Sequence, residues 1–156
     1  MALGFNADEI FEMAEQIERN GGVFYRKAAE HVTGKERDFL LELAAMEDAH
    51  EVTFQGMRQE LSAKQKETVT FDPYGEAPQY LKALADSRVF FEKELDPRTM
   101  SDILKSAIIA EKESIVFYLG MKEMVAEHQG KARIDDIIRE EMDHIKLLSN
   151  RLIETK

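Results

Sequence analysis

Apolar residues return along this chain at steps of three and four. Ile10, Met13, Ala14, Ile17, Gly21, Phe24, Tyr25 and Ala28 fall on one face of a helix predicted over about residues 7–31. Phe39, Leu40, Leu43, Met46, Phe54, Met57 and Leu61 carry the same period in a second helix. The turn around Thr33-Gly34-Lys35 between them is short enough to force an antiparallel return. A third helix is predicted after Pro97, with Thr99 or Ser101 as its N-cap. It runs through Ile103, Ala107, Ala110, Tyr118, Met121 and Val125 to a turn near Gln129-Gly130. A fourth carries Ile134, Ile137, Ile138, Ile145, Leu148 and Leu152.

Pro73, Pro78 and Pro97 are the only prolines, and they separate two long stretches in which helices can run uninterrupted. Within this connection of about 35 residues, Ala77 to Phe91 reads as a shorter helix. A bundle helix of about 27 residues is roughly 40 Å long, and a link of this size lets the third helix start beside the start of the second. The expected fold is therefore all-α: a four-helix bundle with a long crossover, containing a short helix, between parallel helices 2 and 3. A length of 156 residues with 44% hydrophobic content fits a single domain over residues 1–156.

Inside the apolar stripes stand residues that do not belong in an apolar core. Glu18 precedes Tyr25 by seven positions and is followed by Glu47-Asp48-Ala49-His50. Glu111 precedes Tyr118 by seven and is followed by Glu141-Met142-Asp143-His144. The interval from Glu18 to Glu47 is 29 positions, that from Glu111 to Glu141 is 30, and both tyrosines close a Val-Phe-Tyr tripeptide, which points to duplication of a helical hairpin. One Glu-x-x-His carries little weight, because 21 glutamates in 156 residues place a Glu there by chance about one time in eight. The weight comes from the doubled intervals and the inward placement.

Four carboxylates facing an apolar interior need a counter-charge, and no inward lysine or arginine supplies it. Two divalent cations would balance four carboxylates and two neutral imidazoles. Residues three apart are neighbours on a helix, so each Glu-x-x-His lets a carboxylate bridge two metals while its imidazole binds one. This is the ligand set of the ferritin-like carboxylate bundles, and its oxygen and nitrogen donors favour iron or manganese over metals of thiolate sites. Each tyrosine hydroxyl can reach a ligand carboxylate on another helix; packing with a satisfied hydroxyl is the plain alternative.

Other features bear less chemistry. The methionines mostly fall on core faces as gap-fillers, Glu9, Glu12 and Glu15 form a solvated acidic stripe, and His31 and His128 lie at the surface near turns. Gly21-Gly22 inside helix 1 costs about 1 kcal/mol per residue and is expected to leave room for dioxygen, peroxide or a helix distortion beside the metals. The formal charge of −10 argues against nucleic acid and anionic membranes as partners. No apolar run reaches membrane-spanning length and the first residues do not form a secretory signal, so a cytoplasmic location is expected. The absence of cysteine excludes disulfides, thiolate zinc sites and iron–sulfur clusters within these residues.

Glu18, Glu47, His50, Glu111, Glu141 and His144, with Tyr25 and Tyr118, resemble the diiron ligands and tyrosines of the rubrerythrin branch of the ferritin-like superfamily, over nearly the whole chain. The resemblance implies two iron ions, with manganese or a mixed pair as variants, and reduction of hydrogen peroxide or dioxygen. Rubrerythrins typically carry a four-cysteine rubredoxin domain; this chain is expected to lack one and to draw electrons from a separate, rubredoxin-like donor. They also have a further glutamate three residues after the helix-3 ligand, where this chain has Ser114, with Glu113 facing elsewhere. That departure favours a symmetric six-ligand site. Ferroxidase and iron-storage activity in a closed shell is the alternative function, hydroxylation of an organic substrate a third, and a metal-free structural bundle the plain one. A homodimer through an outer helix face is expected.

Overall fold

The computed structural model describes residues 7–61, 99–125 and 130–155. They form four helices: α1 (Ala7–Ala29), α2 (Gly34–Gln59), α3 (Met100–Met124) and α4 (Lys131–Glu154). The predicted short helix at Ala77–Phe91 lies outside the described residues, as does His128.

Sequence signals account for the helix ends. At the start of α3 the Thr99 hydroxyl accepts a hydrogen bond from the Asp102 N–H at 3.1 Å, satisfying one of the donors a helix N-terminus leaves free. The α4 N-cap, Gly130, sits at φ 105°, a left-handed conformation, and a Cβ there would lie 2.5 Å from Met57 Cε. The backbone conformation favours glycine at this turn, and any Cβ would also have to displace the Met57 methyl. Past Ala29, the Glu30 and His31 N–H groups turn back to the Lys27 and Ala28 carbonyls, which closes α1 two residues before its predicted end.

Cross-helix bonds give the directions. Ion pairs join Asp8 to Arg58, Arg19 to Glu51 and Arg26 to Asp48, so α1 and α2 run antiparallel. Tyr118 meets Glu18 while Tyr25 meets Glu111, so α1 and α3 are also antiparallel. Helices α2 and α3 therefore share a direction, as the long connection requires. Two apolar clusters fill the bundle, one around Phe11, Phe54 and Phe117, the other around Leu40, Leu43 and Leu104. Among the described residues, no helix is long and apolar enough to cross a membrane.

Two expectations fail locally. Glu15 is not a solvated residue: it is 6% exposed, and Arg58 Nη1 on α2 donates to its carboxylate at 2.8 Å while the same guanidinium holds Asp8. Met46, read as core, is 40% exposed and lines a groove between α2 and α4.

Candidate metal centre

Between the two apolar clusters lies a belt of buried polar groups. Glu18, Glu47, Glu111 and Glu141 are at most 1% exposed, and His50 and His144 at most 5%. Each helix places its residues by period: α1 and α3 give one glutamate each, while α2 and α4 give a glutamate and, nearly one turn on, a histidine.

The donor atoms gather into two overlapping groups. Glu18, Glu47, His50 and Glu141 can each offer an atom within 4.8 Å of the others, and so can Glu47, Glu111, Glu141 and His144. Glu47 and Glu141 belong to both, the position of a bridging carboxylate. His50 Nδ1 lies 2.7 Å from Glu141 and 3.5 Å from Glu18; His144 Nδ1 lies 3.2 Å from Glu47 and 3.4 Å from Glu111 and Glu141. The imidazole planes are stacked 17° from parallel, with centroids 5.7 Å apart. All six residues singled out by spacing thus meet in one place, and neither donor group contains Glu113.

The atoms facing this space stand close together but make no well-aligned hydrogen bond. Glu18 Oε2, Glu47 Oε1, Glu111 Oε2, both Glu141 oxygens and both histidine Nδ1 atoms are buried and unsatisfied. Unpaired buried oxygens and nitrogens converging from four helices are costly unless a cation joins them, and the hard donor set fits divalent first-row metals.

The remaining atoms are held from outside. Tyr25 donates to Glu111 Oε1 at 2.7 Å and Tyr118 to Glu18 Oε1 at 2.6 Å, each reaching across to the other hairpin. These are short, charge-assisted bonds that leave the second oxygen of each carboxylate facing inward. Burial, together with the glutamate charges, pushes both phenols well above their usual range, so they remain donors. His50 Nε2 bonds to Glu140 on α4. Sequence reasoning missed Glu140, whose signal was only its place immediately before Glu141.

Without metal, the groups of the cluster shift one another's basicity. Burial and the neighbouring carboxylates push Glu47 and Glu141 well up. Burial also lowers the basicity of the imidazoles, but bonds to the carboxylates outweigh it and raise His50 to about 11 and His144 to about 10. Glu18 and Glu111 are held below the ordinary carboxylate range: burial opposes this, but hydrogen bonds from the neighbouring glutamates, imidazoles and tyrosines prevail.

Gly21 has a different reason from the one its position implied. A Cβ there would stand 3.2 Å from Glu47 Oε2 and 3.3 Å from its Cγ and Cδ, and α1 runs through both glycines unbroken. Its missing side chain makes room for the Glu47 carboxylate, not for an oxidant or a distortion. Gly22 lies against the Asp48 and Arg26 side chains.

The rubrerythrin family model matches residues 9–152. A crystal structure from Thermotoga maritima, described as a ferritin-like diiron-carboxylate protein, is 23% identical and superposes with a TM-score of 0.73, covering 98% of each chain. That likeness shows a ferritin-like fold. No curated protein matches the sequence.

Proposed function

The chain belongs to the rubrerythrin family, and from that premise we propose that it is a diiron oxidoreductase reducing hydrogen peroxide or dioxygen with electrons from a separate donor. The observation that carries this reading is the pair of donor groups sharing Glu47 and Glu141. In this reading Glu18 and His50 would hold one iron, Glu111 and His144 the other, and Glu47 and Glu141, common to both donor groups, would serve the two. The bound pair supplies oxidant binding and two electrons.

The protein's own groups do the rest. Tyr25 and Tyr118 fix the outer carboxylates by their hydrogen bonds and keep a phenolic proton 2.7 and 2.6 Å from the ligand oxygens. A groove of about 350 Å³ on the α2/α4 face, lined by Met46, Ala49 and Leu147, reaches both histidines and is roomy for an oxidant of two oxygen atoms. Ser114, at the family's additional glutamate position, is 1% exposed and donates to the Ala110 carbonyl at 3.0 Å. A serine so placed leaves the six-ligand set unextended, which favours a pair of metals that keep their positions through turnover. With no cysteine in these 156 residues, electrons come from a donor outside them. A homodimer is in keeping with the exposure of Ile109 and Leu119 on α3, 46% and 45% exposed; a monomeric mass by light scattering would reject it.

The test is anaerobic loading with ferrous iron, then addition of peroxide or air with iron, oxidant and particle size followed together. Two irons per chain in a small oligomer are expected, with one peroxide reduced to water for every two ferrous ions oxidised; dioxygen, which takes four electrons, should reach water only when the separate donor supplies the other two. Uptake far beyond two irons in a large shell would instead identify a storage protein. Glu47→Ala and Glu141→Ala should each abolish paired-metal binding, and two metals retained at unchanged affinity in both variants would refute the ligand assignment.

A further inference from the structure

The two hairpins agree at all six donor positions but not behind the imidazoles. In the register that aligns Glu47 with Glu141 and His50 with His144, Met46 aligns with Glu140. Glu140, on α4, bonds to His50 Nε2 on α2. Its counterpart Met46, on α2, lines the same groove as His144, and among the described residues no carboxylate is bonded to His144 Nε2. One imidazole is therefore backed by an acid, while the matching position for the other carries a thioether that cannot serve as one.

We propose that Glu140 makes the metal position at His50 the tighter of the two and the first to fill, and that Met46 leaves the position at His144 the looser. This rests on the two-metal reading above. Both histidines turn Nδ1 toward the carboxylates, so Nε2 is the atom left to the surroundings. An Nε2–H that donates to a carboxylate fixes the tautomer with Nδ1 free, locks the ring plane and increases electron donation from Nδ1. His144 gains none of these from a methionine. A partner of this kind changes metal affinity by about 10- to 100-fold, so the two constants should differ by that order. Hydrogen bonding cannot even them out from the other side, because Tyr25 and Tyr118 hold the two outer glutamates almost identically, at 2.7 and 2.6 Å.

The probe is Co²⁺, titrated anaerobically and followed by its visible spectrum and by calorimetry. Wild type should take two ions per chain in separable steps. Glu140→Gln keeps an acceptor but removes the charge; it should weaken the tighter step roughly 10-fold or more, shift the spectrum of the first ion and leave the second step in place. Because the Glu140 side chain is 60% exposed, this variant should keep the wild-type circular dichroism. Met46→Glu, which builds the missing carboxylate at His144, should tighten the looser step. Two equal steps in wild type, or a Glu140→Gln protein with the wild-type isotherm and spectrum, overturns the proposal while leaving two metals bound. Fewer than two ions in wild type brings down the two-metal reading and this inference with it.

Discussion

Loading the site with two divalent metals should expel about four protons per chain at neutral pH. In the metal-free cluster the two imidazoles, both shifted upward, hold two of them, and charge balance assigns the other two to Glu47 and Glu141, whose carboxyls burial and the neighbouring carboxylates shift upward. Glu18 and Glu111, shifted downward, are already ionised. Two carboxylates against two imidazoliums leave the empty cluster neutral. Four carboxylates, two neutral imidazoles and two divalent ions leave the filled one neutral as well. Metal binding is therefore an exchange of four protons for two metals with no change in buried charge. At pH 7 the protons on His50 and His144, both held well above the ordinary imidazole range by the carboxylates beside them, oppose metal. The overall two-metal constant should fall by roughly four decades for each unit of pH below neutrality. The assay is Mn²⁺ calorimetry in buffers of different ionisation enthalpy, which counts released protons, repeated at pH 6 and 7. Release of two protons or fewer, with a fall of two decades, would mean that Glu47 and Glu141 are ionised in the metal-free protein and would refute the charge balance.

Three further outcomes follow from the same geometry. Gly21→Ala should keep or slightly raise the melting temperature of the metal-free protein, since alanine favours a helix by about 1 kcal/mol, while the new Cβ against Glu47 lowers metal affinity; unchanged affinity would refute the role given to this glycine. Tyr25→Phe and Tyr118→Phe each strip the donor from a buried carboxylate oxygen, a loss of about 1–3 kcal/mol, and should weaken metal binding and slow reoxidation of the loaded protein; stopped-flow rates and isotherms equal to wild type would show the hydroxyls to be packing only. The metal-free protein should lose stability as pH rises from about 7 toward 10, because the folded imidazoles hold protons there that the unfolded chain, at 6.5, has released. The metal-loaded protein should be flat over that window, and parallel melting curves for the two forms would contradict it.

The parts of this molecule legible in its sequence are those set by local period and by repetition. Helix faces follow from 3.6-residue spacing, so Glu18, Glu47, His50, Glu111, Glu141 and His144 could be placed inward before any coordinate was known, and the doubled intervals tied them together. Thr99 was readable as a cap because capping is a contact within four residues. What escaped depends on a second helix. Glu15 sits at the edge of the α1 stripe, and only Arg58, 43 residues away, makes it a buried ion pair. Met46 obeys the period of α2, yet it lines a groove between α2 and α4, and only the placement of α4 decides that. Glu140 looks like one more surface acid until α2 brings the His50 ring against it. Gly21 signalled a need for space, but the group that takes the space belongs to α2.

The crossed tyrosine bonds have a historical consequence. Tyr25 serves the carboxylate of the second hairpin and Tyr118 that of the first, so each copy of the repeat is incomplete alone and complete when paired with itself. A contact of that form is isologous: one surface meets its own image and needs no second invention. An ancestral single hairpin with the Glu, Tyr and Glu-x-x-His pattern would have closed the cluster by self-association, and tandem fusion would have changed nothing in it at first. Fusion also released each copy from identity with the other. Gly21 against Ser114 and Met46 against Glu140 are where the two halves have used that freedom, taking on separate tasks within a frame that began as symmetric.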